Sequence, residues 1–290
     1  MKTCLVFIFF FLVGYPQILF SYGMENDAGE HPIADHIPER QTDAITGSEF
    51  AKLTSGMSGK ERQKEAISEL KKGNIPDFLR NLKPVTLLFS PLYGQSISGV
   101  IWVMPDYLAI GSDDDFMRIP LTYPSSVEIA GEYGFVLPTR KMVDAIYWQS
   151  TCRMKPEPLP PCPEMRSSEY YMKHQKMIRK QREKNECQLG DLVSGHKKDI
   201  VLTNRLNKKP GRIAIYGWQK QNGEPIQPLS TVHGSEYADY SHGLRLIYPF
   251  VWIDGNPRQI ADVLQDASLA PLLTYEGLIA NVKRLLRLKK

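Results

Sequence analysis

Five of the nine residues from 155 to 163 (KPEPLPPCP) are proline. Each proline removes a backbone N–H and fixes φ at about −65°, so the stretch can be neither helix nor central strand. It predicts a stiff, extended connector. In a chain of 290 residues that connector marks either a domain boundary or a long excursion within one domain. Residues 166–186 follow, with seven Lys or Arg and three Glu, the pattern of a solvated helix on the outside of the fold.

Regular structure is expected on both sides of the connector. Residues 61–72 (ERQKEAISELKK) predict a charged helix ended by Gly73, and 77–82 a short second one. Residues 85–89, 96–104, 107–110 and 118–121 are rich in β-branched and aromatic residues between turn residues, and predict strands. Residues 126–133 and 140–149 predict helices, with Thr139 as N-cap of the second and Met142, Val143, Ile146 and Tyr147 on its apolar stripe. After the connector, 200–204, 212–218, 244–248 and 250–253 predict strands, and Asn222-Gly223 a hairpin turn. Residues 257–264 predict a helix with proline in its first turn, and 282–290 a short basic helix. The fold class is α+β, with a mixed, largely antiparallel sheet and helices packed on one side.

The N-terminus predicts export. Lys2, an apolar run over 4–13, and Ser21 and Gly23 at the −3 and −1 positions make a secretory signal peptide over 1–23. Residues 24–58 read as a flexible segment, 59–154 as the N-terminal part of the globular region, 155–186 as the connector, and 187–290 as a β-rich C-terminal part. No later run is apolar enough for a membrane span. The 36 basic and 32 acidic side chains nearly balance, so charge gives no argument for nucleic acid. Removing the signal leaves Cys152, Cys162 and Cys187, an odd number that leaves one thiol without an internal partner. A Cys152–Cys162 bridge would close the Pro-rich loop, and Cys162–Cys187 would tie it to the next helix; both are open.

One window concentrates chemistry. Residues 230–246 (STVHGSEYADYSHGLRL) hold two of the six histidines, and His233, Glu236, Asp239 and His242 recur every three residues between Gly234 and Gly243. Three readings fit. In the first, His233, His242 and Asp239 hold a divalent metal such as zinc, and Glu236 takes a proton from its bound water. In the second, Ser241, His242 and Asp239 carry metal-free acid–base or nucleophilic chemistry, joined by His196 from Gly195-His196-Lys197-Lys198-Asp199. In the third, the polar side chains satisfy one another and pin the loop. Asp113, Asp114 and Asp115 read as a solvated turn. Trp218 and Trp252 are candidates to line a cleft for sugar or peptide.

His233-Gly234, then Ser241-His242-Gly243 and Arg245, resemble the signature of the L,D-transpeptidases, exported enzymes that cross-link peptidoglycan. The resemblance covers residues 233–245 and departs where that family has its nucleophilic cysteine, since Leu244 stands there and Leu cannot attack a carbonyl. What it implies is a Gly-bounded polar loop of similar design. The expected function is an exported hydrolase-like protein of the cell envelope or extracellular space. Its substrate would be an envelope polymer, a peptide or a sugar. The competing expectation is a non-catalytic binding protein whose His/Tyr/Asp loop is structural or recognises a partner.

Overall fold

The computed structural model describes residue 34 and residues 36–287. The signal peptide expected over 1–23 and the last three residues of the expected C-terminal helix lie outside the described residues. Helix α1 (Gly47–Leu53) forms inside the stretch expected to be flexible. It forms because Thr46 and Glu49 satisfy each other's backbone N–H groups in a capping box, and Phe50 then buries completely. The same device, Ser58 with Glu61, starts α2 (Gly59–Lys71), and Gly73 at φ 73° ends it.

Strands β1 (Lys83–Phe89) and β2 (Ile97–Val103) form an antiparallel hairpin. The short antiparallel pair β3 (Ala109–Gly111) and β4 (Phe116–Arg118) follows, then α3 (Tyr123–Glu132) and α4 (Arg140–Gln149). Thr139 caps α4 as expected, and Met142, Val143, Ile146 and Tyr147 are its buried face. Strand β5 (Cys152–Arg153) leads into the proline run and α5 (Ser168–Lys184). The proline run is fastened to the core at Leu159. Its N–H donates to the Tyr240 hydroxyl (2.7 Å), which donates back to the Leu159 carbonyl (3.2 Å).

Then come β6 (Val193–Ser194), β7 (Lys198–Ile200), α6 (Arg205–Lys208), β8 (Ile215–Gln219), β9 (Pro225–Ser230), β10 (His242–Gly243), β11 (Ile247–Ile253), β12 (Asn256–Gln259), α7 (Ile260–Val263), α8 (Ala270–Leu273) and α9 (Val282–Leu285). One four-stranded antiparallel sheet has the order β1-β2-β11-β12; a second, mixed sheet has the order β10-β7-β8-β9. The largely antiparallel α+β architecture is as expected, divided between two main sheets and two short strand pairs. The segment 257–264 differs from its expected helix. Asp254-Gly255 turns the chain so that β12 pairs with Phe250–Ile253, and helix begins only at Ile260.

One hydrophobic cluster draws on both sides of the connector, from Leu70, Ile101 and Ile146 to Leu159, Ile200, Leu246 and Leu286. The proline run is therefore an excursion from a shared core. Cys152 and Cys187 form a disulfide with Cα atoms 5.8 Å apart, a third pairing beside the two that the sequence suggested. It clamps the start of the excursion to the end of α5, and Cys162 keeps a free thiol. No described helix is long and apolar enough to cross a membrane.

Candidate functional site

The parallel pairing of β10 with β7 assembles the site. His242 lies opposite Lys198 and Gly243 opposite Asp199, with the Lys198 N–H donating to the Ser241 carbonyl (2.8 Å). Asp239 organises the loop that precedes β10. Its Oδ1 accepts from the Ser241 N–H (2.8 Å) and hydroxyl (2.6 Å), an Asx turn, and its Oδ2 accepts from the Tyr237 hydroxyl (2.9 Å). The His233 ring stacks on Tyr237 at 4.1 Å and 10° between planes. Tyr237 meets His242 edge-on at 5.7 Å, and the two imidazole centroids are 6.3 Å apart. Three of the sequence-nominated residues, His233, Asp239 and His242, thus gather around Tyr237, with Ser241 bound to Asp239.

His242 is 1% exposed, and neither of its ring nitrogens has a hydrogen-bond partner among the described residues. Leaving a buried polar atom unpaired costs about 1–3 kcal/mol, and His242 differs from the other buried unpaired side chains in having both of its polar atoms without a partner. Burial holds the imidazole neutral, down to about 4, with Lys198, His233 and Lys197 adding to the effect and Asp239 opposing it. Burial also lowers His233. Burial would raise Asp239, but His242 and the hydrogen bonds from Ser241 outweigh it and keep the carboxylate ionised below its ordinary range.

Two lysines complete the surroundings. Lys197 is buried with its Nζ donating to the Tyr240 carbonyl, and burial pushes it down to about 7. The Lys198 Nζ lies 4.9 Å from the centroid of the Trp218 ring. Trp218 itself has φ 57°, a region that a bulky side chain enters only under constraint. Backbone strain of this kind collects at functional sites. Sequence reasoning passed over Lys197, Lys198 and Tyr240 and treated Trp218 only as a cleft candidate. The available signal was the lysine pair between His196 and Asp199 at the head of a strand.

The remaining nominated residues lie elsewhere. Glu236 is exposed; its backbone carbonyl accepts from Arg166 (3.2 Å), while its carboxylate makes no hydrogen bond or ion pair with described residues. His196 belongs to a separate buried network, with Nε2 on Asp106 Oδ1 (3.2 Å) and its ring edge-on to Tyr107. Of the two glycines of the loop, only Gly243 is held small by its surroundings. A Cβ at Gly234 would meet nothing nearer than 3.9 Å, whereas one at Gly243 would sit 2.6 Å from the Tyr107 ring. Arg245 is fully buried, donating to the Met104 carbonyl (2.6 Å) and the Val193 carbonyl, with its guanidinium over Tyr107. In the arrangement described, no three or more His, Cys, Asp or Glu side chains among the described residues converge as a metal-binding group.

The buried histidines make stability depend on pH. His196 and His242 are each held at about 4 and His174 well below its ordinary value, all chiefly by burial. The unfolded chain binds these protons from about pH 6.5 downward and the folded chain only at lower pH, near 4 for His196 and His242, so stability is lost as pH falls through that window. Asp199, pushed up to about 7 by burial, and Asp144, also raised by burial, work in the opposite direction, against these three histidines and His233, which burial lowers as well. The melting temperature is therefore expected to fall steadily between pH 6.5 and 4. A thermal denaturation series with a flat or rising profile toward acid would contradict this.

Compared with known proteins, the chain matches no family model, no curated protein and no solved structure.

Proposed function

We propose that the chain is an exported hydrolase-like protein of the cell envelope or extracellular space, with His242 as its general base and a peptide- or sugar-containing polymer as its substrate. The observation that carries this reading is the buried, neutral imidazole of His242 with both nitrogens unpaired, beside a carboxylate already held in place. A base must be neutral to accept a proton, and Asp239 is placed to stabilise the imidazolium that results. Ser241 and Tyr237 spend their hydroxyls on Asp239, so they act as positioning residues. The Lys198 ammonium supplies positive charge for an oxyanion developing next to His242.

Access runs through Tyr237. Its outer face carries the Arg166 guanidinium at 5.2 Å, and Arg166 lines a groove of about 520 Å³ shared with Arg62 and Glu169. Displacing Tyr237 and the half-buried His233 would open His242 to that groove, admit water, and let the imidazole return toward its ordinary range, where a general base is effective. The Cys152–Cys187 disulfide supports export, since such bonds persist in oxidising compartments.

A metal-assisted form of the same reading is favoured by the two unpaired nitrogens of His242. His233 and His242 would be the nitrogen ligands, and Asp239 would have to release Tyr237 to offer an oxygen. A divalent ion such as zinc would supply an activated water there.

The test is hydrolysis of soluble peptidoglycan fragments by the purified chain, followed by mass spectrometry, with the melting temperature recorded alongside. His242→Gln is expected to lower the rate by about 10²–10⁴-fold while the fold is retained. Wild-type activity in that variant, or fragments bound but never cleaved by the wild type, would overturn the hydrolytic reading; the second outcome would favour a non-catalytic binding protein. Loss of activity with chelator and recovery with zinc selects the metal-assisted form.

A further inference from the structure

A second surface feature lies beside the loop that carries His233. The backbone of Arg212 bridges Gly234, and the Ser235 N–H donates to the Gly211 carbonyl (2.8 Å), so the turn at 209–212 is built onto the candidate loop. Between that turn and α9 runs a groove of about 220 Å³. Lys209, Arg212, Arg284 and Arg287 line it, all exposed, and no Asp or Glu does. None of the four forms an ion pair with a described carboxylate.

The groove is held in shape. Arg284 donates to Asn207 (2.7 Å) and the Tyr123 hydroxyl to the Leu285 carbonyl (3.0 Å), which fix α9 against α6 and α3. Four like charges gathered in one fixed groove repel one another, and a bound counter-charge relieves that repulsion. Arginine forks suit planar or tetrahedral anionic groups. Between the cations, Pro124, Pro210 and Leu285 offer apolar wall for the faces of sugar rings. The aromatic residue of the groove, Tyr123, is tied down through its hydroxyl and is not arranged as a stacking platform for bases.

We propose that this groove binds an anionic glycan, a chain whose carboxylate or sulfate groups seat among Lys209, Arg212, Arg284 and Arg287 while its ring faces lie on the apolar wall. The proposal goes beyond the hydrolytic reading and does not depend on His242.

Fluorescence anisotropy with labelled polygalacturonate, a heparin-type oligosaccharide and single-stranded oligothymidylate tests it on the full chain. At least one of the two glycans is expected to bind at low salt and to weaken at about 0.3 M salt, where exposed charges are screened. The glycan that binds names the anionic group. Lys209 and Arg287 make no side-chain hydrogen bond with the described residues, so a Lys209→Ala/Arg287→Ala variant is expected to keep its melting temperature and lose about tenfold in affinity. His242→Gln is expected to bind as the wild type does, which separates failure here from failure of the hydrolytic reading. Absence of binding to both glycans, unchanged affinity in the double variant, or oligothymidylate bound as tightly as the glycans would overturn the proposal.

Discussion

Replacing Asp106 with Asn lowers the free energy of unfolding by about 3–5 kcal/mol, because it leaves buried cations without their counter-charge. Asp106 is 1% exposed and sits at the centre of a fully enclosed network. Arg118 donates to it through Nε (3.0 Å) and Nη2, and the Tyr107 N–H through a 2.7 Å bond. His196 lies at 3.2 Å and the Arg182 guanidinium at 3.7 Å. Burial alone would raise the carboxyl, but Arg118 and His196 outweigh it and hold Asp106 well below the usual carboxylate range. Because His196 is neutral near pH 7, one carboxylate answers two guanidinium groups. Asn keeps the shape but removes the charge and turns one of the two acceptor oxygens into an amide donor facing an arginine N–H, so the loss reports charge and hydrogen bonding together. Chemical denaturation at pH 7 measures it. A loss below about 1 kcal/mol would mean that Gln175 and the backbone carbonyls already satisfy the arginines.

The second large effect is expected at the disulfide. Removing it in a Cys152→Ser/Cys187→Ser variant is expected to cost about 3–4 kcal/mol, the range for a closed loop of this size. The bridge joins residues 35 apart in sequence, and the loop it closes contains the proline run and all of α5. Its sulfurs lie against Met154, Ile178 and Val193, a small apolar cluster apart from the main core. Without the bridge the unfolded chain gains the freedom of the whole excursion. A Cys162→Ser variant is the control, expected within about 0.5 kcal/mol of the wild type, since its thiol closes no loop. Equal midpoints for the double variant and the wild type would show that the non-covalent contacts, Leu159 with Tyr240 and Gln175 with Arg118 among them, hold the excursion down without the bridge.

What could be read from the sequence was what neighbouring residues decide among themselves. The ends of α2 and α4 follow from Gly73 and the Thr139 cap, and the apolar stripe of α4 from its period. Pro257 looks like a helix start by the same local logic. It became strand because Phe250–Ile253 offered an edge across the Asp254-Gly255 turn, a tertiary choice that overrides propensity. Helix α5 misled in another way. Its density of charge suggests a solvated helix on the outside of the fold, yet it buries a polar face: Gln175 and Arg182 turn to Arg118 and Asp106, His174 packs on Tyr240, and Gln181 donates to the Lys155 carbonyl. A polar face turned inward has the same composition as one turned outward. Within the candidate site, His233, Asp239 and His242 were visible because they share one window. Lys198 and Trp218 arrive from β7 and β8, and only the parallel pairing with β10 brings them there.

The glycine after His242 carries a consequence for how this chain can diverge. Gly243 is small because the Tyr107 ring occupies the space its Cβ would need, and Tyr107 in turn is fixed by its hydroxyl on Asp199 (2.8 Å) and by Arg245 above its face. Positions 243, 107 and 197 are therefore coupled: a side chain at 243 needs both the Tyr107 ring and the Lys197 Cβ, 2.9 Å from the same point, to give way. In this fold a His-Gly dipeptide records the packing of a tyrosine as much as the placement of an imidazole, and chains that share the dipeptide can share the ring without sharing the chemistry.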